Sequence, residues 1–81
     1  MIFDRPFGRT ERIMRIQLNG EFKELEGPLS IAALLDQLQI NPLTVAVEHN
    51  RVVVRRARYT DTMIVEGSEV EIVAFVGGGA D

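Results

Sequence analysis

Three consecutive glycines, Gly77-Gly78-Gly79, close a strand-like run and are followed by Ala80-Asp81. Lacking Cβ atoms, they form a narrow ribbon able to enter φ/ψ regions that other residues avoid. Ordering it costs much entropy and adds nothing to a core. Such a stretch reads in two ways: as a frayed terminus, or as a tail that another protein threads through a tight channel. The other chemistry-bearing residues are sparse. His49 is the single histidine, and no serine or cysteine nucleophile can be placed beside it. One imidazole among scattered carboxylates makes neither a triad nor a metal site, so His49 reads as a surface residue near a turn. Lys23, the single lysine, reads as solvated. There are no cysteines, which excludes disulfides, thiolate metal sites and a cysteine nucleophile, and with them an iron–sulfur cluster. The chain is therefore expected to carry no catalytic residues of its own.

The elements that must position the glycine run belong to one small domain of 81 residues. A chain this short buries only about 60% of its unfolded surface. With 46% hydrophobic and 26% charged residues, its composition is that of a soluble globular protein. A net charge of -3 gives no general affinity for nucleic acid or an anionic membrane. No apolar run is long enough to span a bilayer. The opening residues are mixed and polar, unlike a signal peptide, so a cytoplasmic location is expected.

Residues 1–13 show no periodicity and read as a flexible extension, either a start-site artefact ahead of Met14 or an arm that docks on a partner. Met14-Arg-Ile-Gln-Leu18 alternates as a half-buried strand does. Asn19-Gly20 is a hairpin signal, because a type I′ turn needs φ > 0 at both central positions. Glu21 to Glu26 is the return strand. There Phe22 and Leu25 fall on opposite parities, which predicts a bulge or bend near Leu25. Ser30 is a suitable N-cap for a helix with the stripe Ile31, Leu34, Leu35 and Leu38, closed by Asn41-Pro42. Thr44–Asn50 and Arg51–Arg55 are further strands reversing near Asn50. Arg56 to Met63 reads as irregular and anchored by Tyr59, and Glu66-Gly67-Ser68 as a turn. The last strand runs from Glu69 to Val76. A hairpin, one helix and later strands form an α+β fold. This order is that of the β-grasp, a mixed four- to five-stranded sheet crossed by one helix. In it the first and last strands pair in parallel at the centre. The expected organisation is extension 1–13, domain 14–76 and flexible glycine-rich tail 77–81.

Along the last strand, Val70 and Ile72 alternate with Glu69 and Glu71, so the valine and isoleucine face the core. Continued, the alternation puts Val73 and Phe75 on the outward side, next to the glycines. An exposed apolar patch there is what a docking surface requires, whereas a twist or bulge would turn Phe75 inward. Arg51, Arg55, Arg56 and Arg58 form a local basic cluster. It reads as a solvated strand edge whose charge discourages edge-to-edge pairing, or as a steering patch toward an acidic partner.

These residues resemble the ThiS-type sulfur carriers of thiamine biosynthesis, members of the ubiquitin-like β-grasp superfamily. The resemblance runs from Met14 to Gly79. It rests on Met14–Gly20, Ile31-Ala-Ala-Leu-Leu35, Val45–Asn50 and above all Glu66-Gly-Ser-Glu-Val-Glu-Ile-Val-Ala-Phe-Val-Gly-Gly-Gly79. It implies a protein co-substrate and not an enzyme. The terminal glycine carboxylate would be adenylated by an E1-like (ThiF-type) adenylyltransferase using ATP. A persulfide from a cysteine desulfurase or another donor would displace AMP, giving a thiocarboxylate. A ThiG-type thiazole synthase would then take the sulfur. No permanently bound cofactor is implied, only the transient acyl adenylate and thiocarboxylate. Val73, Phe75 and Val76 would dock the partner and Gly77 would thread the channel. Gly79, or Gly78 if one more residue is trimmed, would carry the sulfur. Ala80 and Asp81 depart from the pattern, since the chemistry needs a terminal glycine; their removal before activation is one reading, a non-carrier form another, and residues left by cloning a third. Related carriers serve molybdopterin synthesis, tRNA thiolation or cysteine synthesis. A ubiquitin-like modifier or a β-grasp interaction module would share the fold.

Overall fold

The computed structural model describes residues 12–75. Strand β1 (Ile13–Leu18) and strand β2 (Glu21–Glu26) form the predicted hairpin. Its turn residues Asn19 and Gly20 have φ of 53° and 84°, the two positive values a type I′ turn demands. The antiparallel register runs unbroken from Ile13 opposite Glu26 to Leu18 opposite Glu21. The expected bulge near Leu25 is therefore absent. Leu25 faces inward opposite Met14 and packs on the core. Phe22 lies on the outer face, with the Arg15 guanidinium 4.6 Å from its ring centroid. Two different faces account for the opposite parities.

A two-residue strand β3 (Leu29–Ser30) leads directly into helix α1 (Ile31–Gln37). The Ser30 hydroxyl accepts from the Ala33 N–H at 3.0 Å, satisfying one of the orphan donors of the first turn. Ile31, Leu34 and Leu35 are fully buried and Leu38 is partly so, while Asp36, Gln37 and Gln39 face water. The helix ends earlier than Asn41-Pro42 predicts. Gln39 takes a left-handed φ of 60°, the Ile40 N–H donates back to the Leu35 carbonyl and the Gln39 N–H to Asp36. This is the Schellman closure, and it turns Ile40 onto the core. Asn41-Pro42 instead starts a 3-10 turn, Pro42–Thr44, whose first free amide, on Leu43, donates to the Asn41 side chain.

Strands β4 (Val45–His49) and β5 (Val52–Val54) follow, reversing through Asn50 and Arg51, both at positive φ. The Arg56–Met63 segment holds a 3-10 turn, Arg56–Arg58, and Tyr59 is buried as an anchor. The Tyr59 and Thr62 carbonyls accept from the Ala32 and Ile31 amides, so this segment satisfies the start of the helix. It ends in strand β6 (Met63–Ile64), which pairs antiparallel with β3. Neither two-residue strand was expected. Gly67, at φ 83°, turns the chain into β7 (Glu69–Ala74).

The main sheet has the order β2-β1-β7-β4-β5. The first and last strands of this sheet pair in parallel, Gln17 with Glu69 and Leu18 with Val70, and every other neighbouring pair is antiparallel. This is the β-grasp arrangement: a mixed five-stranded sheet with one helix across one face. The core lies between them, built on Met14, Ile16, Leu34, Leu35, Val47 and Val70.

Candidate docking face and the strand that leads to the tail

Strand β7 carries the features singled out at the carboxyl end. On its inner side Val70 is buried and Ile72 packs against the core. On its outer side Glu71 is exposed, followed by Val73 at 58% and Phe75 at 43% exposure. The outward register therefore persists to Phe75, which is not turned into the core. The Phe75 amide donates to the Thr44 carbonyl at 2.9 Å, which keeps the chain in line one residue past the strand. Across the sheet, Val73 stands opposite Ala46 and Glu71 opposite Glu48. Val53 stands opposite Glu48 on the far side and is exposed. An apolar row, Val73–Ala46, thus borders an acidic row, Glu71–Glu48. Beyond that row a shallow concavity of about 420 Å³ is lined by Gln17, Gly20, Glu48, Arg51, Glu69 and Glu71. Val76, Gly77, Gly78, Gly79, Ala80 and Asp81 lie outside the described residues, as do residues 1–11.

Several polar residues elsewhere have structural partners. His49 is half-buried on the inner side of β4, and its Nε2 is 3.0 Å from the Ser68 hydroxyl. This corrects two expectations, that His49 is a surface residue and that no serine stands beside it. The pair has the wrong surroundings for a nucleophile. Ser68 is 2% exposed, and its hydroxyl also accepts from the Val65 amide at 3.0 Å, so it pins the β6–β7 turn. Sequence separation hid the contact, because Ser68 meets His49 only once β4 and β7 pair. In the basic cluster, Arg51 bonds Glu69 at 3.2 Å and Arg58 bonds Asp61 at 3.4 Å, while Arg55 and Arg56 are exposed beside the edge strand β5. Lys23 is exposed as expected. Burial raises the Tyr59 hydroxyl above its ordinary pKa, an effect only partly offset by the nearby Arg56 guanidinium. Among the described residues no group of three or more His, Asp or Glu side chains could hold a metal, and no helix is long and apolar enough to cross a membrane.

The ThiS family model matches residues 16–79, which takes in all three glycines. A thiazole synthase of Paramagnetospirillum magneticum is 37% identical over 68 residues, covering 84% of this chain and 21% of its own length. The Sulfur carrier protein ThiS of Bacillus subtilis is 35% identical over 65 residues, 79% of this chain and 98% of its own. The chain spans about a fifth of the thiazole synthases it matches, 21% here and 20% in Magnetococcus marinus. The crystal structure of a thiamine biosynthesis protein (ThiS) from Geobacter metallireducens superposes with a TM-score of 0.72 at 32% identity. It covers 82% of this chain and 100% of that one. Family match, fold and the strand leading to the glycines agree, and the chain belongs to the ThiS family of β-grasp sulfur carriers.

Proposed function

We propose that this protein carries sulfur as a thiocarboxylate on its glycine tail, for thiazole formation in thiamine biosynthesis. The observation that carries the reading is the course of β7, which leads from the centre of the sheet past exposed Val73 and Phe75 toward Gly77–Gly79. Ala80-Asp81 is removed first, making Gly79 terminal; Gly78 takes its place if one more residue is trimmed. A carboxylate oxygen of that glycine attacks the α-phosphorus of ATP on an E1-like, ThiF-type adenylyltransferase, and pyrophosphate leaves. The terminal sulfur of a protein persulfide, supplied by a cysteine desulfurase or another donor, attacks the acyl carbon and AMP leaves. A second thiol then takes the S–S bond of this acyl disulfide, forming a new disulfide and freeing the thiocarboxylate. A thiazole synthase of the ThiG type accepts the sulfur. The names of the thiazole synthase and ThiS relatives support this destination. This chain supplies the acyl group and the docking face, and its partners supply activation, so it serves as a co-substrate.

Glycines suit the reacting end because a side chain there would obstruct both the channel and the incoming sulfur. An intact mass of the protein from its native cells tests the reading. The expected species lacks Ala-Asp, and a fraction carries sulfur in place of one oxygen. A full-length mass, unchanged after incubation with the adenylating enzyme, ATP and a sulfur donor, would refute it. Isopeptide conjugates to lysines, with no thiocarboxylate, would identify a protein modifier instead.

A further inference from the structure

Glu48 and Glu71 stand directly opposite each other on the outer face of β4 and β7, and both are exposed. Side chains in such a position approach closely, and like charges there destabilise the sheet. The ion pairs among the described residues, Arg51 with Glu69 and Arg58 with Asp61, include neither Glu48 nor Glu71. Arg51 lines the same concavity as these two but is held by Glu69, so three carboxylates there share one described cation. Glu48 and Glu71 are bordered by apolar Val73–Ala46 on one side and by Val53 on the other. We infer that the adenylating partner docks here with an apolar surface against Val73 and Phe75 and a cationic side chain between Glu48 and Glu71. This rests on the carrier reading above and adds the chemistry of the partner's surface.

Charge complementarity sets what can dock on this face. In the free chain the paired carboxylates repel each other through water, where the cost is modest. When a partner covers Val73 and Phe75, the neighbouring water is displaced and any charge left there interacts more strongly. An uncompensated pair would then oppose docking, whereas a guanidinium or ammonium between them turns repulsion into two attractions. An arginine fits best, because its planar fork offers donors in two directions. The same acidic row would reject partners whose apolar surface is rimmed with carboxylates.

The test uses the chain ending at Gly79, with ATP–pyrophosphate exchange by a ThiF-type adenylyltransferase as readout. The double substitution Glu48→Gln/Glu71→Gln is compared with Glu24→Gln/Glu26→Gln, which removes the same charge from β2. The first is expected to melt no lower than the parent, because repulsion is relieved. It should raise KM about tenfold, move kcat far less and flatten the salt dependence of KM. The β2 variant should leave KM within about twofold, since net charge alone acts weakly across a Debye length. An unchanged KM in the first variant, or an equal rise in both, overturns the inference and leaves the carrier reading intact. No exchange with the parent chain, whether it ends at Gly79 or at Gly78, overturns both.

Discussion

The Asn19 side-chain amide brackets the backbone of Ile72: its oxygen accepts from the Ile72 N–H at 2.7 Å, and its nitrogen donates to the Ile72 carbonyl at 3.3 Å. The Asn19 backbone amide also donates to the Val70 carbonyl at 2.8 Å. One turn residue thus extends the β1–β7 ladder past the end of β1, its amide imitating a peptide group. The asparagine is read in the sequence for its left-handed φ, but it has this second duty. Asn19→Gly keeps the turn geometry and removes the bracket. It is expected to cost about 1–2 kcal/mol, measured by urea unfolding. A change under about 0.3 kcal/mol would mean that water replaces the amide without loss.

Phe75→Asp is expected to lower stability by about 1 kcal/mol or less, because the ring is already 43% exposed and lies on the outer face. On the proposed reading it should weaken binding to the adenylyltransferase or the thiazole synthase about tenfold or more, since buried aromatics dominate docking energetics. Calorimetric titration alongside a thermal melt separates the two effects. A large fall in melting temperature would place Phe75 in the core.

The raised Tyr59 pKa makes stability depend on alkaline pH. The unfolded phenol loses its proton near its ordinary value of about 10, while the buried one holds it longer. Above that value the unfolded state binds fewer protons, so stability falls as pH rises through the window between the two pKa values. Below it the contribution is complete. Melting at a series of pH values from about 8 to 11 should show this fall, and Tyr59→Phe should lessen it.

Ser68→Ala removes the acceptor for the Val65 amide and the partner of His49 at once. Since Ser68 is buried, the orphaned groups should cost about 1–3 kcal/mol. Ser68→Cys should recover less than half of that, sulfur being a weak acceptor. Chemical denaturation of both variants measures the difference.

The parts of the fold legible in the sequence are those with a local cause. Asn19-Gly20 announces a turn through its dihedral needs, Ser30 announces a cap, and the spacing Ile31, Leu34, Leu35, Leu38 announces a buried helical stripe. The alternation Glu69 to Phe75 gives the faces of β7, including the outward Val73 and Phe75. What escaped depends on distant pairing or on residues in unfavoured conformations. Strands β3 and β6 are two residues each and exist only because they meet each other. Gln39 and Arg51 adopt left-handed φ without the glycine or asparagine that usually marks it. The bulge predicted in β2 assumed that both Phe22 and Leu25 must be buried. The cation over the Phe22 ring on the outer face removes that need. The acidic row escaped too, since Glu48 and Glu71 meet only through the β4–β7 register.

The parallel pairing of β1 with β7 at the centre of the sheet has a mechanical consequence. Because the two strands run the same way, the start of β1 and the end of β7 point to opposite ends of the sheet. Traction on the carboxyl end, resisted at the amino end, loads the bonds between them in shear. Those bonds, from Gln17 to the Ser68 carbonyl and from Asn19 to Val70 and Ile72, must yield together and cannot be peeled one after another. Resistance to pulling is set by the barrier to unfolding, so a force applied at the carboxyl end meets this domain in shear and not in a peeling geometry.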